Sequence, residues 1–293
     1  MPKLPSCAEL QGSRGAVLTA VPQFDFGART DMGRVRENNE DSFAVEPELS
    51  LFVLSDGMGG QASGEIASRI ATETIVDYCL AAERNSLSVS QPDRLPGASD
   101  ASNRLVAGVR RANSAILDAT LNHPERHGMG ATVVAVRFEG SRMSLAHVGD
   151  SRAYRLHCGQ LEQLTRDHSF VAEQLRQGTL TQKEAEQSEL QNVLLRALGQ
   201  DADVEVDVTE ELMLDGDAIL LCSDGLTREI SDEQIAVILE QADDAQAAAD
   251  GLVDAANEAG GADNITVIVV RPAEKHGGAF ARIGRWLKGK KES

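Results

Sequence analysis

Five aspartate-bearing segments stand out by where they fall. The apolar run Leu51–Leu54 ends in Ser55-Asp56-Gly57-Met58-Gly59-Gly60, and Ala218–Cys222 ends in Ser223-Asp224-Gly225. Met143–Val148 ends in Gly149-Asp150-Ser151-Arg152, and Gly261-Ala262-Asp263-Asn264 immediately precedes another apolar run. Glu40-Asp41 opens a strand beginning at Ser42. Any one Asp-Gly pair is better read as a turn. Five together place carboxylates at the ends of buried strands, where charge is costly unless paired or metal-bound. These segments contain no lysine and no histidine. Oxygen-only donors favour Mg²⁺ or Mn²⁺ over zinc. Two such ions about 3.5–4 Å apart would share a bridging water, lower its pKa and clamp a phosphoryl group for in-line attack. Arg36, four residues before Glu40, offers a bidentate fork suited to phosphate oxygens. Alone it would read as a solvated loop arginine; beside an aspartate cluster it reads as a phosphate anchor.

A competing chemistry is written in Cys222-Ser223-Asp224-Gly225-Leu226-Thr227-Arg228, which matches the C-x5-R loop of cysteine-dependent phosphatases. That chemistry needs a low-pKa thiolate in an electropositive nest. This loop instead carries an aspartate that would repel phosphate, and Cys222 reads as a buried strand residue. Of six histidines, His123 and His127 are spaced i,i+4 but separated by Pro124, which argues against a metal pair. His147 reads as a hydrogen-bonded core residue in a strand. His168, where an excursion from the core begins, is placed within reach of substrate as the lesser of its two readings.

Elements must hold these groups. Leu51–Leu54, Ala131–Phe138, Met143–Val148, Ala153–Leu156, Ala218–Cys222 and Ile265–Val270 read as strands, rich in β-branched residues and bounded by Gly or Asp. Ile66, Ile70, Thr74, Tyr78 and Ala82 fall four apart and predict an amphipathic helix over 64–84. Leu105, Val109, Ala112 and Ile116 predict a second over about 102–121. Ser231 and Gln234 form a capping box opening a third, and Gly260-Gly261 closes a fourth. Residues 85–101 read as a surface insertion. Short consecutive strands over 130–165 are expected to pair antiparallel with their sequence neighbours through tight turns such as Phe138-Glu139-Gly140-Ser141. Strands in runs and helices in blocks predict an α+β class.

The 293 residues are 42% hydrophobic but only 3% aromatic, so the core must rest on Leu, Ile, Val and Ala. A formal net charge of −18 disfavours a nucleic-acid partner. It leaves room for a phosphate site, since bound cations invert the local field of their carboxylates. Cys7, Cys79, Cys158 and Cys222 form no C-x-x-C pair, as expected of a reduced cytoplasmic protein. No signal peptide is expected, and no apolar stretch approaches the roughly 20 residues that span a bilayer. The expected organisation is a flexible leader over 1–22, one catalytic domain over 23–271 and a basic tail over 272–293. In that tail Phe280, Ile283, Trp286 and Leu287 share one helical side among basic residues, which allows a weak membrane-surface contact; four glycines favour a solvated terminus instead.

Taken in order, Thr30-Asp31-Met32-Gly33-Arg34-Val35-Arg36-Glu37-Asn38-Asn39-Glu40-Asp41-Ser42, Ser55 to Gly60, Gly130-Ala131-Thr132, Val148 to Arg152, Ser223 to Leu226 and Asp263-Asn264 resemble the metal-dependent protein phosphatases of the protein phosphatase 2C type, in their bacterial branch. The resemblance covers about 24–271. It implies a sandwich of two antiparallel β-sheets flanked by helices, with a small flap over about 167–196, and hydrolysis of phosphoserine and phosphothreonine by a metal-bridging water. It also implies a binuclear Mn²⁺ or Mg²⁺ centre. Asp56 would bridge both ions and the Gly57 carbonyl would bind one of them. Asp224 and Asp263 would hold the second ion, and Asp41 with Glu40 would contribute directly or through water. A third, weaker ion would fall to Asp150 with Asp224. Arg36, Asp56 and Asp224 are thus the expected catalytic residues.

One position departs from part of the family: Met58 stands where some members carry a histidine proposed to protonate the leaving alkoxide, so the general acid is unassigned. Phosphorylated proteins are the expected substrates, a cognate Ser/Thr kinase the expected partner by analogy, and a monomer the expected state. Two other readings stay open. A regulatory pseudophosphatase would have lost metal carboxylates, and none of the six acidic positions is missing. A phosphomonoesterase acting on small molecules would share the same metal site and differ in the surrounding groove.

Overall fold

A computed structural model of the chain describes residues 24–59, 63–84, 94–188 and 190–272. In chain order the elements are β1 (Phe24–Asp31), β2 (Asp41–Glu46), β3 (Leu51–Met58), α1 (Ser63–Arg84), α2 (Asp100–Asn122), β4 (Gly130–Ala131), β5 (Val133–Glu139), β6 (Arg142–Val148), β7 (Arg152–His157) and β8 (Gln160–Gln163). They continue with α3 (Phe170–Arg176), α4 (Gln182–Glu186), β9 (Asp207–Leu212), β10 (Ala218–Cys222), α5 (Asp224–Thr227), α6 (Asp232–Gln241), α7 (Ala245–Ala259) and β11 (Ile265–Pro272). One sheet runs β1-β11-β10-β7-β8, the other β2-β3-β5-β6-β9 with β4 paired to β3. All pairings are antiparallel. The expected leader, most of the tail, Gly60, and part of the 85–101 insertion lie outside the described residues.

The central strands read as unbroken apolar runs because each is buried on both faces. With a side-chain period of two, Phe52 and Leu54 of β3 join Val134 and Val136 of β5 and Ile268 and Val270 of β11 between the sheets. The alternate residues point the other way. Leu51, Val53, Val133 and Ala135 meet α1 and α2, whereas Val267, Val269, Leu220 and Cys222 meet α6 and α7. Three apolar layers therefore separate four structural layers, helix, sheet, sheet and helix.

Both long helices form where expected, but α1 turns differently. Its buried face is Ala67, Ala71, Ile75 and Cys79, while Ile66, Ile70 and Tyr78 lie on the flank. Small residues let the helix lie close to β3; Gly64 is so near the sheet that a Cβ there would come 2.4 Å from Glu40 Oε2. On α2, Leu105, Val109, Ala112 and Ile116 are all buried as expected. The capping box at Ser231 and Gln234 and the stop at Gly260 are also present.

Strands β1 and β9 escape the sequence reading because they are edges, mostly half-exposed and polar. A larger difference concerns neighbour pairing. β5 and β6 form the expected hairpin, with Gly140 at φ +64°. β6 and β7 do not pair; the chain crosses at Gly149-Asp150-Ser151 from one sheet to the other. Gly149 adopts φ +105°, and a Cβ there would lie 2.7 Å from the Thr132 side chain. This crossover carries Asp150 to the rim between the sheets.

Ile268, buried between the sheets, is expected to be a keystone of the inner layer. Ile268→Ala should lower unfolding stability in urea by about 2–5 kcal/mol. A loss under about 0.5 kcal/mol would contradict the layer assignment.

Candidate active site

Four of the strand-end aspartates open onto a single cavity of about 400 Å³. Asp56, Asp150, Asp224 and Asp263 line it with Arg36, Glu40, Gly57 and Met58. Asp41 lies beneath: it is the cross-strand partner of Asp56 in the β2–β3 ladder, and its Oδ2 accepts from Ser223 Oγ at 2.8 Å. Every expected metal or catalytic residue is thus at the cavity or immediately under it.

The local framework is built from the same motifs. Thr132 ties two aspartate segments together, its Oγ1 accepting from the Asp56 amide at 3.0 Å and meeting Ser151 Oγ at 2.6 Å. Ser55 Oγ donates to the Thr132 carbonyl at 2.6 Å. Asn264 fixes the loop that carries Arg36: its Nδ2 donates to the Met32 and Asn38 carbonyls at 3.0 and 2.8 Å. Its Oδ1 accepts from the Glu40 amide at 2.8 Å. Gly57 and Gly225 sit where no side chain fits, a Cβ meeting the Gly64 carbonyl oxygen at 2.0 Å and the Asn264 carbonyl oxygen at 2.1 Å respectively.

Electrostatically the cluster is unsatisfied. Burial, reinforced by neighbouring carboxylates, raises the pKa of Asp41 and of Asp150 to about 7 and pushes Asp56 well above the usual carboxylate range. Burial raises Asp224 and Glu40 as well. Two buried oxygens, Asp41 Oδ1 and Asp224 Oδ1, have no hydrogen-bond partner. Hard divalent cations fit such a donor set: all oxygen, anionic and short of positive charge. Two arginines offset part of the charge. Arg36 Nη2 meets Asp263 Oδ2 at 2.8 Å with its side chain half-exposed to the cavity. Arg228 pairs with Asp224 and reaches Asp263 Oδ2 at 3.4 Å.

Some site residues carried no assigned role in the sequence reading. Arg228 entered only as the end of the C-x5-R match; its i,i+4 spacing from Asp224 was the available signal. Asn192 and Leu194 line the cavity from the flap, and nothing in the sequence shows that the flap folds back there. Cys222 is fully buried in β10 with its thiol pushed up to about 12 by burial, which leaves no reactive thiolate. His147 is a buried strand residue with Nε2 3.0 Å from the Arg166 carbonyl oxygen. His168, placed within reach of substrate as one reading, is 7% exposed and bonded to Gly149, next to Asp150, and is not itself among the residues that line the cavity. A second group of potential ligands, His147, His168 and Asp207, lies outside it.

The raised carboxylates predict a pH response. In the folded protein Asp41 and Asp150 take up protons near pH 7, and in the unfolded chain only near the ordinary value of about 3.9. Folding therefore binds protons in this range, and the stability of chelator-treated protein should rise as pH falls from 8 to 6.5. Below 6.5 the buried His168, lowered to about 4, works in the opposite direction. Melting temperatures measured in EDTA across this window test the sign. Added Mn²⁺ should flatten the response, because a bound cation removes the preference for protons.

The profile of the family described as "Protein phosphatase 2C" matches residues 33–267. The serine/threonine protein phosphatase PstP of Mycobacterium tuberculosis is 39% identical over 244 residues, covering 83% of this chain and 44% of that protein. The serine/threonine phosphatase stp of Listeria monocytogenes is 36% identical over 245 residues, covering 83% of this chain and 93% of its own length. The chain thus spans under half of the mycobacterial relative and nearly all of the listerial one. Among solved structures, that of the mycobacterial PstP superposes with a TM-score of 0.74 at 38% identity over 85% of this chain and 98% of the other. A second structure, of the PstP catalytic domain in complex with two manganese ions, gives 0.72 at 37% identity over 85% of this chain and 97% of the other. Matched by the family's profile over most of its length and 36–39% identical to these relatives, the chain belongs to the protein phosphatase 2C family.

Proposed function

We propose that this protein is a metal-dependent phosphatase that hydrolyses phosphoserine and phosphothreonine on proteins. The observation that carries the reading is the meeting of Asp56, Asp150, Asp224, Asp263 and Arg36 in one cavity, with Asp41 Oδ1 and Asp224 Oδ1 buried and without a hydrogen-bond partner. Relatives named as serine/threonine phosphatases, and one neighbour holding two manganese ions, support it. Asp56 with the Gly57 carbonyl, and Asp224 with Asp263, would hold two ions, Asp41 and Glu40 completing the set directly or through water. Asp150 with Asp224 would take a third. Bound Mn²⁺ or Mg²⁺ would supply an activated water nucleophile and Lewis-acid stabilisation of phosphoryl oxygens.

The chain's own residues do the rest. Arg36, held over the cavity by Asp263, presents its guanidinium to the phosphate dianion and exchanges a carboxylate partner for a phosphate one. Asn264 keeps that arginine's loop in register with Asp263. Met58 lines the cavity with no proton to give, and among the described lining residues none is a histidine, so the leaving-group proton comes from water or from another group at the site. Leu194 and Asn192 close the cavity from the flap and meet whatever flanks the phosphorylated residue. Kinase-phosphorylated proteins are the expected substrates.

Turnover of p-nitrophenyl phosphate and of a phosphothreonine peptide, with Mn²⁺ and with EDTA, tests the proposal. Asp56→Asn and Asp224→Asn should each lower kcat/KM on the order of 100-fold or more while the protein stays folded. Arg36→Ala should act chiefly on KM, about tenfold or more, the worth of a charge-assisted hydrogen bond. Cys222→Ser should retain most activity. EDTA-resistant turnover lost in Cys222→Ser would replace this mechanism with the cysteine one; no Mn²⁺-dependent turnover at all would favour a pseudophosphatase. Turnover confined to the small ester would remove proteins as the substrate class.

A further inference from the structure

Asp150 is gripped on both sides by two consecutive residues at the root of the flap. On one side Gly149 donates its amide to His168 Nδ1 at 3.1 Å and accepts from the His168 amide at 2.9 Å. On the other, Arg152 engages Asp167, Nε lying 3.0 Å from both carboxylate oxygens and Nη2 2.7 Å from Oδ2. The flap begins at once: Ser169 caps α3 and bridges to Leu194, and the Leu195 amide donates to the His168 carbonyl at 2.7 Å. Both arms of the flap and both shoulders of Asp150 therefore meet at Asp167 and His168.

The far side of the His168 ring continues the chain of contacts. Nδ1 accepts from the Gly149 amide, which leaves Nε2 to meet the residues beyond. Nε2 faces Asp207 Oδ2 at 3.3 Å. Asp207 Oδ1 accepts from Arg196 Nη1 at 2.6 Å, and Arg196 Nη2 reaches Glu205 at 2.8 Å. Arg196 closes the flap. His147 stacks on His168 with ring centroids 4.7 Å apart, and its own Nε2 is engaged by Arg166. By composition His147, His168 and Asp207 resemble a metal site, their ligating atoms lying within 4.8 Å of one another. Arg196 already supplies a cation there, its Nη1 2.6 Å from Asp207 Oδ1 and 3.2 Å from His168 Nε2. The cluster is a joint.

We propose that His168 is a positioning residue that couples the flap to the Asp150 carboxylate, one ring nitrogen holding the crossover turn and the other the residue pair that closes the flap. This rests on the reading of Asp150 as a metal ligand. A ligand's orienting partners shape metal affinity strongly; their loss typically costs about 10–100-fold. Movement of the flap thereby changes how tightly Asp150 holds its cation, and occupancy of Asp150 changes how firmly the flap is seated.

Calorimetric titration of the chelator-treated full chain with Mn²⁺, paired with amide hydrogen exchange over residues 169–196, tests this. Asp150→Asn should lose the weakest class of Mn²⁺ sites. His168→Ala should weaken that class about tenfold or more, leave the tighter class unchanged and speed exchange in the flap. His168→Asn keeps an acceptor near the Nδ1 position but cannot reach Asp207, so Mn²⁺ affinity should recover while flap exchange stays fast. Wild-type titration and wild-type flap exchange in His168→Ala, with the weak class lost in Asp150→Asn, would overturn the coupling. An unchanged titration in Asp150→Asn would overturn the ligand reading and the coupling with it. Should His168→Ala fail to fold, Asp207→Ala tests the joint from its other end: faster flap exchange with a weakened ion supports it, and wild-type values for both overturn it.

Discussion

The fold crowds anionic side chains into one dry place, and much of the surrounding structure answers that repulsion. Buried carboxylates at this density cannot all stay ionised without compensation. Part of the charge is met by Arg36 and Arg228, part by hydrogen bonds such as that from Ser223 to Asp41. What remains appears as raised pKa values and as carboxylate oxygens without partners. Divalent cations suit such a set. A site of this kind is built to be weakly stable alone and strongly stabilised by its ligand.

Holding mutually repelling groups requires a stiff support, which the sandwich supplies. Each aspartate stands at or beside the end of a strand whose other residues are locked into apolar layers on both faces. The connections at the rim are cross-tied: Thr132 joins the Asp56 and Asp150 segments, and Asn264 joins the Arg36 loop to Asp263. The segment over 167–196 is anchored to the same rim through Asp167 and His168, which bond to Arg152 and Gly149 on either side of Asp150. Lids that close over reacting groups commonly work from such hinges.

Much of this was legible in the sequence. Buried strands announced themselves as β-branched runs, and the capping box at Ser231 formed as written. The aspartates were legible because carboxylates at the ends of apolar runs recur at five places, too often to be turns alone. Less legible were the edge strands β1 and β9, whose half-exposed polar residues carry little periodic signal. The α1 face was displaced because Ala67 and Ala71, rather than the larger Ile66 and Ile70, permit close approach to the sheet. Neighbour pairing misled at Gly149, where one left-handed residue carries the chain into the other sheet.

The sequence by itself determined the available chemistry: carboxylate oxygens at strand ends, an arginine suited to phosphate, a methionine with no proton to give, and a cysteine inside an apolar strand. It also determined which runs would be strands, since burial on two faces demands continuous apolar side chains. Only the tertiary structure decided which of those groups share a cavity, that Arg228 neutralises Asp224, and that Asn192 and Leu194 face the site. It alone gave His168 its place at the flap joint. Local composition fixes what a residue can do; contacts between residues far apart in the chain fix what it meets, and no periodicity records them.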